Sequence, residues 1–152
     1  MIAARYLLLI GLPMAGAAMA QGGDTRPIQV TATVKASCRF DSTPNINFGD
    51  LDPAAATDKS QTVQVSFKCT RGVWYNFVVE RGLNYQGGKR RMKNAAGNDF
   101  IAYDIDPVFA IGRGSGFETS ESLALEGRVK GADYRSAPVG TYADTVRISI
   151  QP

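Results

Sequence analysis

The chain has 152 residues, with 17 Lys and Arg against 14 Asp and Glu, two cysteines and no histidine. Without histidine there is no Ser-His-Asp or Cys-His nucleophile. Two thiols alone supply too few soft ligands for a structural zinc, so neither a metal nor a cofactor is expected.

The first twenty residues have the layout of a secretory signal. Arg5 supplies a positive start, an apolar stretch runs from Tyr6 to Ala18, and Ala18-Met19-Ala20 places small residues where a signal peptidase reads. Cleavage is expected between Ala20 and Gln21. The apolar stretch, interrupted by Gly11 and Pro13, falls short of the roughly 20 residues a spanning helix needs. Removing residues 1–20 leaves 132, enough for one domain with a real core. Only Arg5 is lost among the charged residues, so 16 cations against 14 carboxylates leave a net charge of +2. So small an excess points to neither nucleic acid nor membrane insertion.

Gln21–Arg26 is a polar lead-in. From Pro27 to Ser37 the apolar residues Ile28, Val30, Ala32, Val34 and Ala36 share one face while Thr31, Thr33 and Lys35 take the other, a pattern that predicts a strand. A short strand is predicted over Asn45–Phe48, ended by Gly49. The stretch from Pro53 to Lys59 is short and alanine-rich, the only window with a hint of helix. Thr62–Cys69 alternates again, with Val63, Val65, Phe67 and Cys69 inward. Trp74–Glu80 is rich in aromatic and β-branched residues, and Phe100–Ile105 and Ser122–Glu126 are further strands, stopped by Asp106-Pro107 and by Gly127. Tyr142, Val146, Ile148 and Ile150 then alternate with Thr145, Arg147 and Ser149. About seven short strands with turn residues between them predict an all-β sandwich.

Cys38 and Cys69 are the only cysteines. In an exported chain an oxidising compartment favours their pairing over two buried free thiols. The carboxylate pairs Asp50/Asp52 and Asp104/Asp106 read as solvated or capping groups near turns. Gly112–Gly116 lacks the lysine-serine ending of a phosphate loop and reads as a flexible loop. Lys89–Lys93 is the densest charge run and reads as a solvated hairpin end, with contact to anionic polysaccharide or lipid as the alternative. Trp74 and Tyr75 are candidates for stacking on a sugar, although a strand would turn one of them inward.

Taken in order, several pieces resemble the spore coat protein U domain family, which includes subunits of archaic, Csu-type chaperone–usher pili. They are the alternating strand running into Cys38, Ile46-Asn-Phe-Gly49, Val65-Ser-Phe-Lys-Cys69, Arg91-Met92, Ala102-Tyr-Asp-Ile105, Gly127-Arg128, and Pro138–Val146 with its Gly-Thr-Tyr-Ala-Asp-Thr-Val box. The resemblance implies an immunoglobulin-like β-sandwich lacking one strand, completed by a donor strand from a partner. It divides the chain into a signal peptide (1–20), an N-terminal extension or donor strand (21–36) and the sandwich domain (37–152). Ile28, Val30, Ala32 and Val34 would be the donor residues. The implied partners are a periplasmic pilus chaperone, an outer-membrane usher and neighbouring subunits. The implied function is that of a non-enzymatic structural subunit of a surface pilus or protective coat, supporting adhesion and biofilm formation. Two rival readings are a secreted carbohydrate-binding module, which needs exposed aromatics on one sheet face, and a small hydrolase using a carboxylate pair.

Overall fold

A computed structural model describes residues 22–152; the expected signal peptide and its expected cleavage between Ala20 and Gln21 lie outside the described residues. The chain divides into a unit ending at Thr33 and a unit from Val34 to Pro152. Residues 22–33 carry neither helix nor strand, and every one is exposed. Here the structure departs from the predicted strand over 27–37, because the first strand begins only at Cys38. Alternation marks a side-chain face that suits a sheet, but pairing needs a second strand. Ile28, Val30 and Val34 remain 87%, 88% and 85% exposed.

The second unit is built from nine strands: β1 (Cys38–Phe40), β2 (Lys59–Cys69), β3 (Trp74–Val79), β4 (Arg90–Asn94), β5 (Phe100–Asp106), β6 (Phe109–Arg113), β7 (Glu121–Val129), β8 (Tyr142–Ala143) and β9 (Ile148–Gln151). One helical turn, α1 (Gly131–Tyr134), follows β7. All pairings are antiparallel, in a six-stranded sheet ordered β1-β2-β7-β5-β4-β8 and a three-stranded sheet ordered β6-β3-β9. The result is an immunoglobulin-like sandwich.

Period two decides which side chains fill the space between the sheets. Val65, Phe67 and Cys69 of β2 meet Phe77 and Val79 of β3, with Ile101, Tyr103, Ile105, Leu125 and Val129 completing the centre. Phe67 and Phe77 approach from opposite sheets with ring centroids 6.0 Å apart, and Phe40 stands edge-on to both, at 6.5 and 6.0 Å. Each buried phenylalanine contributes roughly 1.5–3 kcal/mol, and edge-on contact adds to that.

Three further expectations are corrected. Asn45–Phe48 forms no strand; Ile46 and Phe48 instead pack against the core from an unpaired loop. Gly127 of β7 makes room for them, since a Cβ there would lie 2.7 Å from Ile46 Cγ2 and 3.1 Å from Phe48 Cζ. Gly127 therefore does not close its strand, which runs on to Val129. The alanine-rich stretch after Pro53 is a turn held by Asp52, whose Oδ1 accepts from Ala54 N at 2.9 Å, and β2 begins at Lys59. The one helical turn lies instead at Gly131, where a Cβ would overlap the Ala56 carbonyl.

The closing strand is also interrupted. β8 belongs to the six-stranded sheet and β9 to the three-stranded one, so residues 144–147 carry the chain from one to the other. Asp144 anchors that crossing: its Oδ2 accepts from the Tyr103 hydroxyl at 2.7 Å, and its Oδ1 accepts from Asn84 N and Nδ2 at 3.2 and 3.0 Å.

Candidate functional site

β1 pairs only with β2 and β9 only with β3, so among the described residues each leaves one edge unpaired. The Cα atoms of these two strands come within 8 Å of one another, which places both open edges along one seam of the sandwich. Cys38 and Phe40 on one side, and Ile148 and Ile150 on the other, point toward the core yet are only half-buried. An edge with free N–H and C=O groups beside partly covered apolar side chains can accept another strand: the backbone supplies the ladder and the side chains supply the pockets.

Two devices hold the β1 side of this seam. Cys38 and Cys69 stand directly opposite in register and are joined by a disulfide across a sequence separation of 31. Next to it, Thr70 N donates to Ser37 O at 2.9 Å, Ser37 N donates to Thr70 Oγ1 at 3.1 Å, and that hydroxyl lies 3.3 and 3.2 Å from the Lys35 and Ser37 carbonyls. Residues 35–37 are thus tied down immediately before β1. Nothing in the sequence singled out Thr70; its role depends on a partner more than thirty residues away.

The remaining candidates are not brought together. Asp52 caps its own turn, and Asp106 pairs with Arg128 at 3.4 Å on the surface. Arg128 also pairs with Glu126 at 2.5 Å, which lowers the Glu126 carboxyl below its ordinary range. Among the described residues no group of three or more acidic or cysteine side chains is placed to hold a metal ion. No helix in the described residues is long and apolar enough to cross a membrane.

The charge run Lys89–Lys93 is not a solvated hairpin end but largely the strand β4. Arg90 donates from Nη2 to the Val79 and Glu80 carbonyls at 3.2 and 2.9 Å. Arg91 donates to Asn84 O at 3.0 Å and lies 4.2 Å from the Phe100 ring centroid. Gly112–Gly116 likewise is not wholly a loop, since β6 extends to Arg113. Of the aromatic pair, Tyr75 turns inward and donates its hydroxyl to Glu121 Oε2 at 3.0 Å. Burial, with that carboxylate beside it, pushes the phenol up to about 12. Trp74 faces outward and is 65% exposed.

These features define an all-β sandwich domain with an open seam between two edge strands and a covalent clamp on one of them. The Spore Coat Protein U domain model matches residues 24–105, and the chain belongs to that family. No curated protein matches it. Among solved structures it is similar to a chain of the CsuC–CsuE chaperone–tip adhesion subunit pre-assembly complex, from the archaic chaperone–usher Csu pili of Acinetobacter baumannii. That likeness has 22% identity and a TM-score of 0.49, covering 78% of this chain and 40% of that one. A chaperone–tip adhesin complex of CFA/I fimbriae biogenesis is similar at 12% identity and a TM-score of 0.44, covering 77% of this chain and 41% of that one. The chain therefore spans about two-fifths of the length of either structure's matching chain.

Proposed function

We propose that the chain is a structural subunit of a surface pilus or protective coat, polymerised by donor-strand exchange. Residues 28–34 of one copy enter the β1–β9 seam of the next, where Ile28, Val30, Ala32 and Val34 fill apolar pockets and the main chain completes the ladder. Each methylene buried in this way contributes about 0.8 kcal/mol. A periplasmic chaperone fills the seam first, and an outer-membrane usher is where the exchange occurs. Residues 1–20 direct export and are removed after Ala20, and the assembled fibre supports adhesion and biofilm formation at the cell surface.

The observation that carries this reading is one pairing of features within a single chain. The domain has an open seam lined by half-buried Phe40, Ile148 and Ile150, and the chain ahead of it exposes an apolar face of matching period. Family membership over residues 24–105 supports it. The test is deletion of residues 21–34 followed by chaperone pull-down and usher-dependent assembly. The truncated chain is expected to bind its chaperone and to be unable to supply the next joint. Normal fibres from truncated subunits alone would refute the reading.

A further inference from the structure

The two outer faces of the sandwich differ sharply. That of the six-stranded sheet is polar, with Gln64, Ser66 and Lys68 on β2 and Ser122, Glu126 and Arg128 on β7. That of the three-stranded sheet exposes Trp74, Phe109 and Ile111 at 65%, 51% and 60%, and Arg113 is the one charged residue within its three strands, Glu80 and Arg147 lying just past their far end. Register places Trp74 beside Arg113, and in the next row Ile111, Asn76 and Gln151 side by side. An apolar face of this kind on a surface strand marks a place where something docks.

We infer that the Trp74 end of this face is a binding platform for an acidic oligosaccharide, a role that does not depend on the donor-strand reading. The cation is already positioned. Arg113 Nε donates to Gly72 O at 2.9 Å, and its Cζ lies 5.8 Å from the Trp74 ring centroid. Among the described residues its Nη groups are unused and it faces no carboxylate. A guanidinium fixed in this way is ready for two-pronged recognition of a uronate carboxylate. Beside it the exposed indole offers a flat ring for the apolar face of a sugar. Asn76 and Gln151 offer amide donors and acceptors that no described group uses, suited to ring hydroxyls.

Size argues against a folded protein as the occupant. Three strands by five residues make a face of about 250 Å², well under the roughly 800 Å² each partner contributes to a stable protein complex. The face instead matches two or three sugar units. β3, which carries Trp74 and Asn76, is paired on both sides, so free main-chain groups lie only along the outer edges of β6 and β9, away from the Trp74 ring.

Trp74 is the only tryptophan of the chain, so its emission reports on this face. Full chain purified from the exported fraction would be titrated with oligogalacturonate of defined length and with a neutral cello-oligosaccharide of equal length. The expected result is a saturable emission change with the acidic sugar alone, weakening as salt is raised. Arg113→Gln should reduce the affinity at least ~10-fold. Because that change also removes the bond to Gly72, Asn76→Ala is the second variant, and a several-fold loss by calorimetry is expected. The inference is overturned by no saturable response at millimolar sugar, by equal response to the neutral sugar, or by affinity unchanged in both variants. It is overturned equally if the Trp74 emission changes with protein concentration in the absence of sugar, which would make the face a contact between copies.

Discussion

Tyr103 and Asp144 meet across 2.7 Å at the point where the chain leaves one sheet for the other. Tyr103 is buried among the core residues, and its hydroxyl ends on the carboxylate that also holds Asn84. The bond therefore joins the interior of the six-stranded sheet to the segment that delivers β9 and its open edge. Asp144→Ala would strip Asn84 and Tyr103 of their acceptor together. A loss of about 2–3 kcal/mol is expected in denaturant unfolding. Tyr103→Phe leaves Asp144 its Asn84 bonds and should cost about 1 kcal/mol. Equal losses from the two variants would show that the carboxylate does not organise the crossing.

Tyr103 and Tyr75 together set the alkaline limit. Burial first, and then Asp144, raise the Tyr103 phenol far above its ordinary 10; burial and Glu121 raise Tyr75 to about 12. Below pH 10 both are protonated in folded and unfolded chains alike, and their contribution is complete. Above it the unfolded chain releases protons that the fold retains, so stability falls from pH 10 onward, for Tyr75 until about pH 12 and for Tyr103 over a wider range. Tyr75→Phe and Tyr103→Phe should each flatten the decline in stability measured above pH 10. An unchanged slope in both variants would place its origin elsewhere.

The disulfide joins residues 31 apart in sequence and clamps a strand only three residues long. Loop-closure entropy assigns it about 3–4 kcal/mol. Cys38→Ser with Cys69→Ser should lower stability by that amount and loosen β1 first, measured as faster amide exchange at Arg39 and Asp41. Intact mass of the native chain should lack both thiol hydrogens. Free thiols in freshly isolated protein would contradict the pairing.

Val30 and Thr31 separate donor function from folding. Both lie in the exposed segment before the domain. Under the proposed exchange Val30 enters a desolvated pocket of the neighbour, where an unpaired carboxylate costs several kcal/mol. Val30→Asp is expected to block assembly while leaving export and chaperone binding intact, and Thr31→Asp should assemble like the native chain. Equal assembly by both variants, or unfolding of the domain by Val30→Asp, would remove residues 28–34 from the joint.

Much of the fold was legible from the chain alone. Val63, Val65, Phe67 and Cys69 reveal β2 because one face of that strand is buried and period two maps directly onto it. Local pattern misled where a side chain's inward direction did not entail pairing, as at Ile46 and Phe48. It was silent on β4, whose Arg90 and Arg91 look solvated until the carbonyls of Val79, Glu80 and Asn84 are placed around them.

The all-β class, the cysteine pair, most strands and the segment with a free apolar face are readable along the chain, because each rests on residues a few positions apart or on a simple count. Only the folded chain reveals where the sandwich stays open, that Thr70 fixes the chain ahead of β1, that Asp144 turns inward, and that Trp74 shares a face with Arg113 and Gln151. Those relationships join residues tens of positions apart. Alternation says which face a residue occupies but not which strand lies next to it, so only the order of strands in the two sheets brings such partners together.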